Sequence, residues 1–281
     1  MRVPRLIAID IDGTLLDPRF QVSEANLTAL NRAHESGIEI VLATGRRHEF
    51  ALPVAQSLGF PVTMISSNGA VTRSSAGELF HLDRLPLETA RQLVAHMAEF
   101  RRYLVLTFDR PLKGALALET TEELATSIQR WIEKNMQYIE FVTPIESALT
   151  EAPIQAMFCG TVRKMQAAEA HLLSNKYLMS RVTALKTQYD ERDFCMIDIL
   201  NAECSKGHAL RRWTEHHGIE RESVMAIGDN FNDIEMLEFA GLPVVMGNAA
   251  DELKSNGWMV TRGNDESGVA YAVEQCLDSG D

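Results

Sequence analysis

The sequence has little cysteine and no pattern that would join its cysteines to one another or to a metal. The four cysteines are Cys159, Cys195, Cys204 and Cys276. They contain no Cys-x-x-Cys pair, and no Cys/His cluster has zinc spacing. A disulfide framework and a zinc site are therefore not expected, and the sequence predicts reduced thiols in the cytoplasm.

Long hydrophobic runs are missing as well. The longest apolar stretches have the length of a β-strand, so the sequence predicts no transmembrane helix. The N-terminus carries one basic residue before Pro4 and then a strand that ends in an acidic residue, which is not the pattern of a signal peptide. Repeats and low-complexity segments are also lacking, and a globular protein is expected.

Positive charge is in deficit, because 27 lysines and arginines face 39 aspartates and glutamates for a net charge of -12. Such a chain repels nucleic acid and anionic membranes, so neither is an expected partner. A small phosphate ester stays possible, because local cations decide whether it binds. The chain is expected to be a monomer or a homodimer.

The 281 residues are 46% hydrophobic, which suits one large domain or two smaller ones. Apolar runs alternate with helical segments at both ends of the chain, which predicts a parallel sheet with right-handed crossovers. The predicted strands of these two ends are Leu6–Ile9, Ile38–Ala43, Val62–Ser66, Phe194–Leu200, Val224–Ile227 and Pro243–Met246. A helix that begins at Ser23 and is closed by Gly37 connects the first two of them.

The middle of the chain, residues 83–186, has a different pattern. An amphipathic helix over Pro86–Phe100 is followed by the strands Tyr103–Phe108 and Ala115–Leu118, and a further helix is predicted over Glu122–Asn135. Paired strands beside helices are typical of an α+β layer. The sequence therefore predicts a core formed by residues 1–82 and 187–281, with a second domain inserted at 83–186.

Two carboxylates follow the first strand. Asp10 and Asp12 lie two positions apart on extended chain, so their side chains point to the same side. Ligands bind at this end of the strands in open α/β sheets, and two like charges there repel unless a cation or a proton neutralises them. The pair predicts a metal site and an acid/base pair, whereas the simpler alternative is a strand followed by an Asp-Gly turn.

Three further pieces stand at strand ends or helix starts. Thr44 and the turn amides of Gly45 and Arg46 can hold a phosphate oxygen. Lys206 opens a helix, where a cation is unfavourable unless an anion is bound nearby. The loop Gly228–Asp233 crowds acids and amides after a strand, which suits an oxygen-ligated cation such as Mg²⁺, although such a loop also caps helices.

These four motifs, in this order, resemble the haloacid dehalogenase superfamily of phosphatases. Longer matches at Ala43–Arg46, Ser67–Ala70, Ser205–Gly207 and Gly228–Asp233 are similar to the Cof-like subfamily. In that subfamily a large α+β cap of type IIB lies between the second and third motifs, and the insertion at 83–186 has that position. The resemblance implies an α/β fold, with a Rossmann-like parallel-sheet core and an inserted α+β cap that selects the substrate.

The resemblance also implies residue roles. Asp10 is the nucleophile that forms an aspartyl-phosphate, and Asp12 is the general acid and base. The implied phosphate-binding residues are Ile11, Thr44, Gly45, Lys206 and Asn232. The implied ligands of Mg²⁺ are Asp10, the backbone carbonyl of Asp12, and Asp229, and Asp233 supports Lys206 or the metal. Two further candidates come from the residues themselves: Arg46 for substrate or phosphate contact, although an arginine at a helix start is more often solvated, and Asn68 as a supporting residue that lines the cleft, although Asn-Gly is also a routine turn.

The function expected from these residues is Mg²⁺-dependent hydrolysis of a small phosphorylated metabolite, such as a sugar phosphate, a phosphorylated cofactor or a nucleotide. Two alternatives stay open at this stage. A phosphosugar mutase would return the phosphoryl group to a sugar, and a non-catalytic sensor would bind phosphate ligands without consuming them. A sensor would have no need of the acid/base Asp12.

Overall fold

The computed structural model describes residues 3–122, 124, 129–189, 191 and 193–278. Contacts within the chain define two units, one formed by Met1–Leu82 and Ser205–Asp281 and the other by Asp83–Cys204. No helix in the described ranges is long and apolar enough to cross a membrane.

Strands and helices alternate along much of the chain. The strands are β1 (Leu6–Ile9), β2 (Glu39–Ala43), β3 (Thr63–Ser66), β4 (Val71–Ser74), β5 (Leu79–Leu82), β6 (Leu104–Thr107), β7 (Leu116–Leu118), β8 (Ile139–Phe141), β9 (Gln155–Gly160), β10 (Val182–Tyr189), β11 (Phe194–Asn201), β12 (Val224–Gly228), β13 (Leu242–Val245) and β14 (Met259–Val260). The helices are α1 (Glu24–Glu35), α2 (His48–Ser57), α3 (Leu87–His96), α4 (Gln129–Asn135), α5 (Val162–Leu173), α6 (Lys176–Met179), α7 (Lys206–His216), α8 (Ile234–Phe239), α9 (Asp251–Lys254) and α10 (Gly268–Leu277).

The first unit is built on an eight-stranded sheet with the order β14-β13-β12-β1-β2-β3-β4-β5. The strands from β14 to β3 pair in parallel, and the hairpin of β4 and β5 extends the sheet in antiparallel pairing. β1 lies at the centre and is buried on both faces: Ile7 and Ile9 join the apolar cluster on one side, while Leu6 and Ala8 join the cluster on the other. This explains why parallel strands appear as continuous apolar runs.

The connection from β1 to β2 follows the sequence signals closely. The Ser23 hydroxyl accepts a hydrogen bond from the Asn26 amide at 3.2 Å and caps α1. Gly37 follows the helix with a φ of +82°, a conformation that glycine adopts without a steric penalty. The predicted helix after Ser23 is therefore confirmed. After the helix, β2 pairs with β1 in parallel.

The second unit contains a six-stranded sheet with the order β10-β11-β9-β6-β7-β8. Its pairs are antiparallel except for β7 with β8. Leu106, Phe158 and Ile197 from its strands share one apolar cluster with Leu93 of α3 and Met165 of α5. A parallel-sheet unit and a separate α+β unit thus confirm the predicted fold class.

The predicted position of Phe194–Leu200 in the parallel core is wrong. This segment is β11, and it pairs antiparallel with β9 and β10 inside the second unit, which extends to Cys204 rather than to residue 186. The error has a physical reason. A short apolar run looks the same in a parallel core as in the centre of an antiparallel sheet, and only its pairing partners distinguish the two.

Other differences concern segments with weak patterns. The hairpin β4–β5 and the edge strand β10 have polar residues on half-exposed positions and were not predicted. The predicted helix Pro86–Phe100 is divided into α3 and a 3-10 segment, Ala98–Tyr103. Of the predicted helix Glu122–Asn135, residues 123 and 125–128 lie outside the described residues, and α4 is its described part.

Asn26 provides a test of the packing of the first unit, because its fully buried amide joins three segments. It donates to the Leu15 carbonyl at 3.2 Å and accepts from the Ala270 amide at 2.9 Å. We expect Asn26→Ala to lower the free energy of unfolding by about 2–4 kcal/mol, because it leaves two buried backbone groups unpaired. The measurement is urea-induced unfolding. The exposed Asn31→Ala on the same helix is the control, with an expected change within about 0.5 kcal/mol, and equal losses in both variants would contradict the expectation.

Candidate active site

The site forms where the carboxyl ends of neighbouring parallel strands meet. β12, β1 and β2 lie side by side, and they end at Asp229, Asp10 and Thr44. The first turn of α7 adds Lys206 from a distant part of the chain. Residues more than 190 positions apart therefore lie within hydrogen-bonding distance. This is the edge at which ligands bind in open α/β sheets.

Lys206 lies at the centre of the cluster, and its side chain is fully buried. Its Nζ donates to Asp10 Oδ1 at 2.6 Å and to Asp233 Oδ1 at 2.7 Å. Burial alone would lower the pKa of the Lys206 ammonium, but the two carboxylates outweigh burial and raise this pKa above its ordinary value. The lysine is therefore held as a cation, with its charge directed at the proposed nucleophile.

Asp10 has an excess of negative charge around it. Burial is the main cause that raises the pKa of this carboxyl, and Lys206 opposes it. The neighbouring Asp233, Asp229 and Asp12 raise the same pKa further. An added cation beside Asp10 would oppose this rise in its pKa and favour the charged form that a nucleophile requires.

Asp229 is held in a fixed position by the loop after β1. The Thr14 hydroxyl donates to its Oδ1 at 2.8 Å. Gly13 has a φ of +84°, and a Cβ there would lie 2.3 Å from Asp229 Oδ2, so only glycine fits. Burial, and next the charge of Asp233, raise the pKa of Asp229 to about 7, while the Thr14 hydrogen bond lowers it.

Carboxylate oxygens of Asp10, Asp229 and Asp233 lie within 4.8 Å of one another, a spacing that could hold a metal ion. Asp233 already has partners for both oxygens, since Oδ1 binds Lys206 and Oδ2 accepts from the amides of Asp229 and Asn230, each at 3.1 Å. Asp10 and Asp229 are consequently the carboxylates best suited to a cation, and hard oxygen ligands of this kind fit Mg²⁺.

Asp12 forms an ion pair with Arg46. The guanidinium Nη2 and Nε donate to Asp12 Oδ1 and Oδ2 at 2.6 and 2.7 Å. This is the two-point geometry in which arginine binds carboxylates most strongly. The guanidinium of Arg46, a predicted phosphate-binding residue, contacts the expected acid/base residue in this structure.

The remaining predicted residues surround this centre within the first unit. The Thr44 hydroxyl accepts from the Arg46 amide at 3.1 Å. Asn232 Nδ2 donates to Asn68 Oδ1 at 3.0 Å, and the Asn68 side chain borders Gly45. Ile11, the residue between the two aspartates, is fully buried, and its carbonyl accepts from the Leu16 amide at 3.0 Å.

Two residues that support the site were not predicted. Thr14 binds Asp229, and the Asn248 side chain donates to the Gly13 carbonyl at 2.9 Å. The position of Thr14 directly after the Asp-Gly turn is a signal that could have identified it. Asn248 lies in an ordinary turn after β13, and nothing in its local sequence distinguishes it.

Comparisons with known proteins show the family of this chain. A model of the haloacid dehalogenase-like hydrolase family matches residues 7–273. Phosphatase YwpJ of Bacillus subtilis (strain 168) is 30% identical, over 97% of this chain and 100% of that protein. Pyridoxal phosphate phosphatase YbhA of Escherichia coli (strain K12) is 29% identical over 96% of this chain and 97% of that protein. A crystal structure of a haloacid dehalogenase-like hydrolase from Bacteroides thetaiotaomicron has a TM-score of 0.79 and 28% identity, and the match covers 97% of this chain and 99% of that one.

Asp229 gives the site a measurable pH dependence in the absence of divalent ions. Its pKa rises from the ordinary 3.8 to about 7 on folding, so its contribution to stability is complete below pH 4 and is lost as the pH rises to 7. In EDTA, Asp229→Asn should therefore gain stability relative to the wild type as the pH rises through this window, because the amide carries no charge to bury. Urea unfolding at pH 5 and pH 8 measures this difference. A difference that does not change with pH would contradict the assigned shift.

Proposed function

Because this chain belongs to the haloacid dehalogenase-like hydrolase family, we propose that it is a Mg²⁺-dependent phosphomonoesterase that works through an aspartyl-phosphate on Asp10. The observation that carries the proposal is the buried Lys206 between Asp10 and Asp233, beside Asp229. A phosphate dianion needs positive charge on the side of its attacker, and this arrangement supplies a fixed ammonium and two carboxylates suited to a cation.

The proposed substrates are small phosphorylated metabolites, namely sugar phosphates, phosphorylated cofactors or nucleotides. The names of the relatives support this class: one is a phosphatase, and another is a pyridoxal phosphate phosphatase. The net charge of -12 also favours a small ester over a polyanion such as nucleic acid, because only the local positive charge of the site needs to attract it.

In the first step, a carboxylate oxygen of Asp10 attacks phosphorus. The bond between that oxygen and phosphorus forms while the bond from phosphorus to the ester oxygen breaks. Lys206, the Thr44 hydroxyl and the backbone amides of Ile11 and Gly45 would hold the phosphate oxygens during this transfer. Bound at Asp10, the Asp12 carbonyl and Asp229, Mg²⁺ would neutralise charge that develops on the phosphoryl group.

Asp12 would supply the proton that the leaving oxygen requires and then accept a proton from the water that hydrolyses the aspartyl-phosphate. Inorganic phosphate leaves, and both aspartates return to their starting state. Proton donation requires a protonated Asp12, and it therefore requires the ion pair between Asp12 and Arg46 to open. A phosphate dianion near Arg46 competes for the same guanidinium, which links substrate binding to the release of Asp12.

All the residues assigned to these steps belong to the first unit. Selection among phosphate esters therefore falls to the second unit, as expected from the resemblance to proteins with a type IIB cap. Residues 187–204 should be included in that unit when its role in specificity is tested by exchange with a relative.

The central test measures phosphate release from a panel of phosphorylated sugars, cofactors and nucleotides, with Mg²⁺ and with excess EDTA. The wild type should be active only with Mg²⁺. Asp10→Asn should reduce turnover by roughly 10⁴-fold or more, because it removes the nucleophile while Lys206 keeps its bond to Asp233. Normal turnover in that variant would falsify the assignment of Asp10, and recovery of an isomeric phosphate instead of inorganic phosphate would favour a mutase.

Arg46 is tested by its own pair of variants. We expect Arg46→Ala to lower kcat/KM by about 10- to 100-fold, because Asp12 loses the group that positions it. This loss is smaller than the loss usually caused by removing a general acid. Arg46→Lys should restore only part of the loss, since lysine has no planar two-point geometry. The exposed Arg19→Ala in the same unit is the control, with unchanged kinetics expected. Full activity in Arg46→Ala would remove Arg46 from the mechanism.

A further inference from the structure

We propose that Asn68 is a positioning residue that fixes the orientation of the Asn232 amide and supports the phosphate-binding turn at Gly45. This inference rests on the proposed function, because it concerns how the phosphate-binding groups are held in place. Asn68 would act through its neighbours without contact to the reacting atoms. Four observations in the first unit carry the inference.

The first observation is the backbone of the loop after β3. Ser67, Asn68 and Gly69 have φ angles of +49°, +53° and +106°. The left-handed region is natural for glycine and uncommon for other residues, and asparagine is among those that tolerate it best. Two consecutive non-glycine residues in this conformation, next to a site, indicate that the surrounding structure imposes it.

The second observation is how the loop is anchored. The Ser67 amide donates to the Arg46 carbonyl at 2.7 Å, and the Asn68 amide donates to the Thr44 carbonyl at 3.0 Å. Both residues are about 1% exposed. The loop is therefore bonded through its backbone to the turn that carries Thr44 and Arg46, so its geometry and the geometry of that turn depend on each other.

The third observation is the approach of the same loop to α7. A Cβ on Gly69 would lie 2.2 Å from the Ser205 carbonyl oxygen and 3.1 Å from the Lys206 amide. Glycine is thus required there, and the loop passes directly against the peptide that precedes Lys206. The turn at Gly45 and the start of α7 are both in contact with this one loop.

The fourth observation is the environment of the Asn68 side chain. Its Oδ1 accepts from Asn232 Nδ2 at 3.0 Å. A Cβ on Gly45 would lie 3.1 Å from Oδ1 and 3.3 Å from Nδ2 of Asn68, so the amide packs directly against Gly45. Because the Asn68 oxygen selects the Asn232 nitrogen as its donor, it determines which way the Asn232 amide faces.

Residue chemistry explains why asparagine suits this position. Glycine would accept the left-handed backbone but would offer no acceptor to Asn232. Aspartate would keep the acceptor, but it would add a negative charge to a site that already has Asp10, Asp229 and Asp233 within a few ångströms of one another. A neutral amide supplies the acceptor without opposing the binding of a phosphate anion.

The test compares Asn68→Gly, Asn68→Asp, Asn232→Ala and the double variant Asn68→Gly/Asn232→Ala in the full chain. Hydrolysis of p-nitrophenyl phosphate gives kcat and KM, and calorimetry gives the affinity for inorganic phosphate with Mg²⁺ present. Ser267→Gly is the matched control, because Ser267 also has a left-handed backbone, with a φ of +57°, and lies at the start of α10. That control should keep wild-type kinetics and phosphate affinity.

We expect Asn68→Gly to lose about tenfold in kcat/KM and a similar factor in phosphate affinity, with no loss of thermal stability. Asn68→Asp should keep the fold and lose more phosphate affinity than Asn68→Gly. The loss in the double variant should be smaller than the product of the two single losses, because both changes remove the same oriented amide. Effects that multiply in the double variant, or wild-type values in Asn68→Gly, would overturn the inference. A wild type without Mg²⁺-dependent phosphate release would instead contradict the proposed function.

Discussion

The site depends on the balance of charge around one buried ammonium. Lys206 binds Asp10 and Asp233, while Asp229 lies close enough to Asp10 for these two carboxylates to hold a cation. One positive charge faces three negative ones here. Burial, and next the neighbouring carboxylates, raise the pKa values of Asp10 and Asp229. This excess of negative charge makes the cluster suited to a divalent cation. The proposed activation of the nucleophile, binding of the ion and binding of phosphate would all follow from this single electrostatic arrangement.

The fold makes this arrangement possible because it brings distant segments to one edge. The central position of β1 between β12 and β2 places the ends of all three strands side by side. Burial of β1 on both faces fixes its height in the sheet, since each of its four residues packs into one of two apolar clusters. Asp10 follows β1 directly, so the packing of β1 also fixes the position of the Asp10 backbone. Two loops complete the site. The lack of a side chain at Gly13 leaves room for the Asp229 carboxylate, and the loop Ser67–Gly69 contacts both the Thr44 turn and the start of α7.

Two of the site's carboxylates, one on Asp12 and one on Asp233, have hydrogen-bond partners at both of their oxygens. Asp12 is bonded at both oxygens by Arg46, and Asp233 is bonded at both oxygens by Lys206 and two backbone amides. The side chains of Lys206 and Asp233 are fully buried, so their ion pair suits a permanent structural role. The Asp12–Arg46 pair is partly exposed, with about a third of the Asp12 side chain accessible, and exchanges partners at lower cost. This difference in burial fits the proposed roles of the two carboxylates, Asp233 as a fixed support and Asp12 as the acid and base.

Most of the parallel core, the helix capped by Ser23 and the residues that meet at the site were predictable from the sequence, because each carries a local signal: an apolar run, a cap, or a polar residue directly after a strand. The order of four motifs predicted the family, which the family match confirms. The bonding partners of these residues were not predictable in this way. In the folded protein β11 belongs to the second unit, and Arg46 pairs with Asp12. Asn68 accepts a hydrogen bond from Asn232, which lies 164 positions away in the sequence. These contacts depend on non-local hydrogen bonds and strand pairing, which produce no periodic pattern in the sequence.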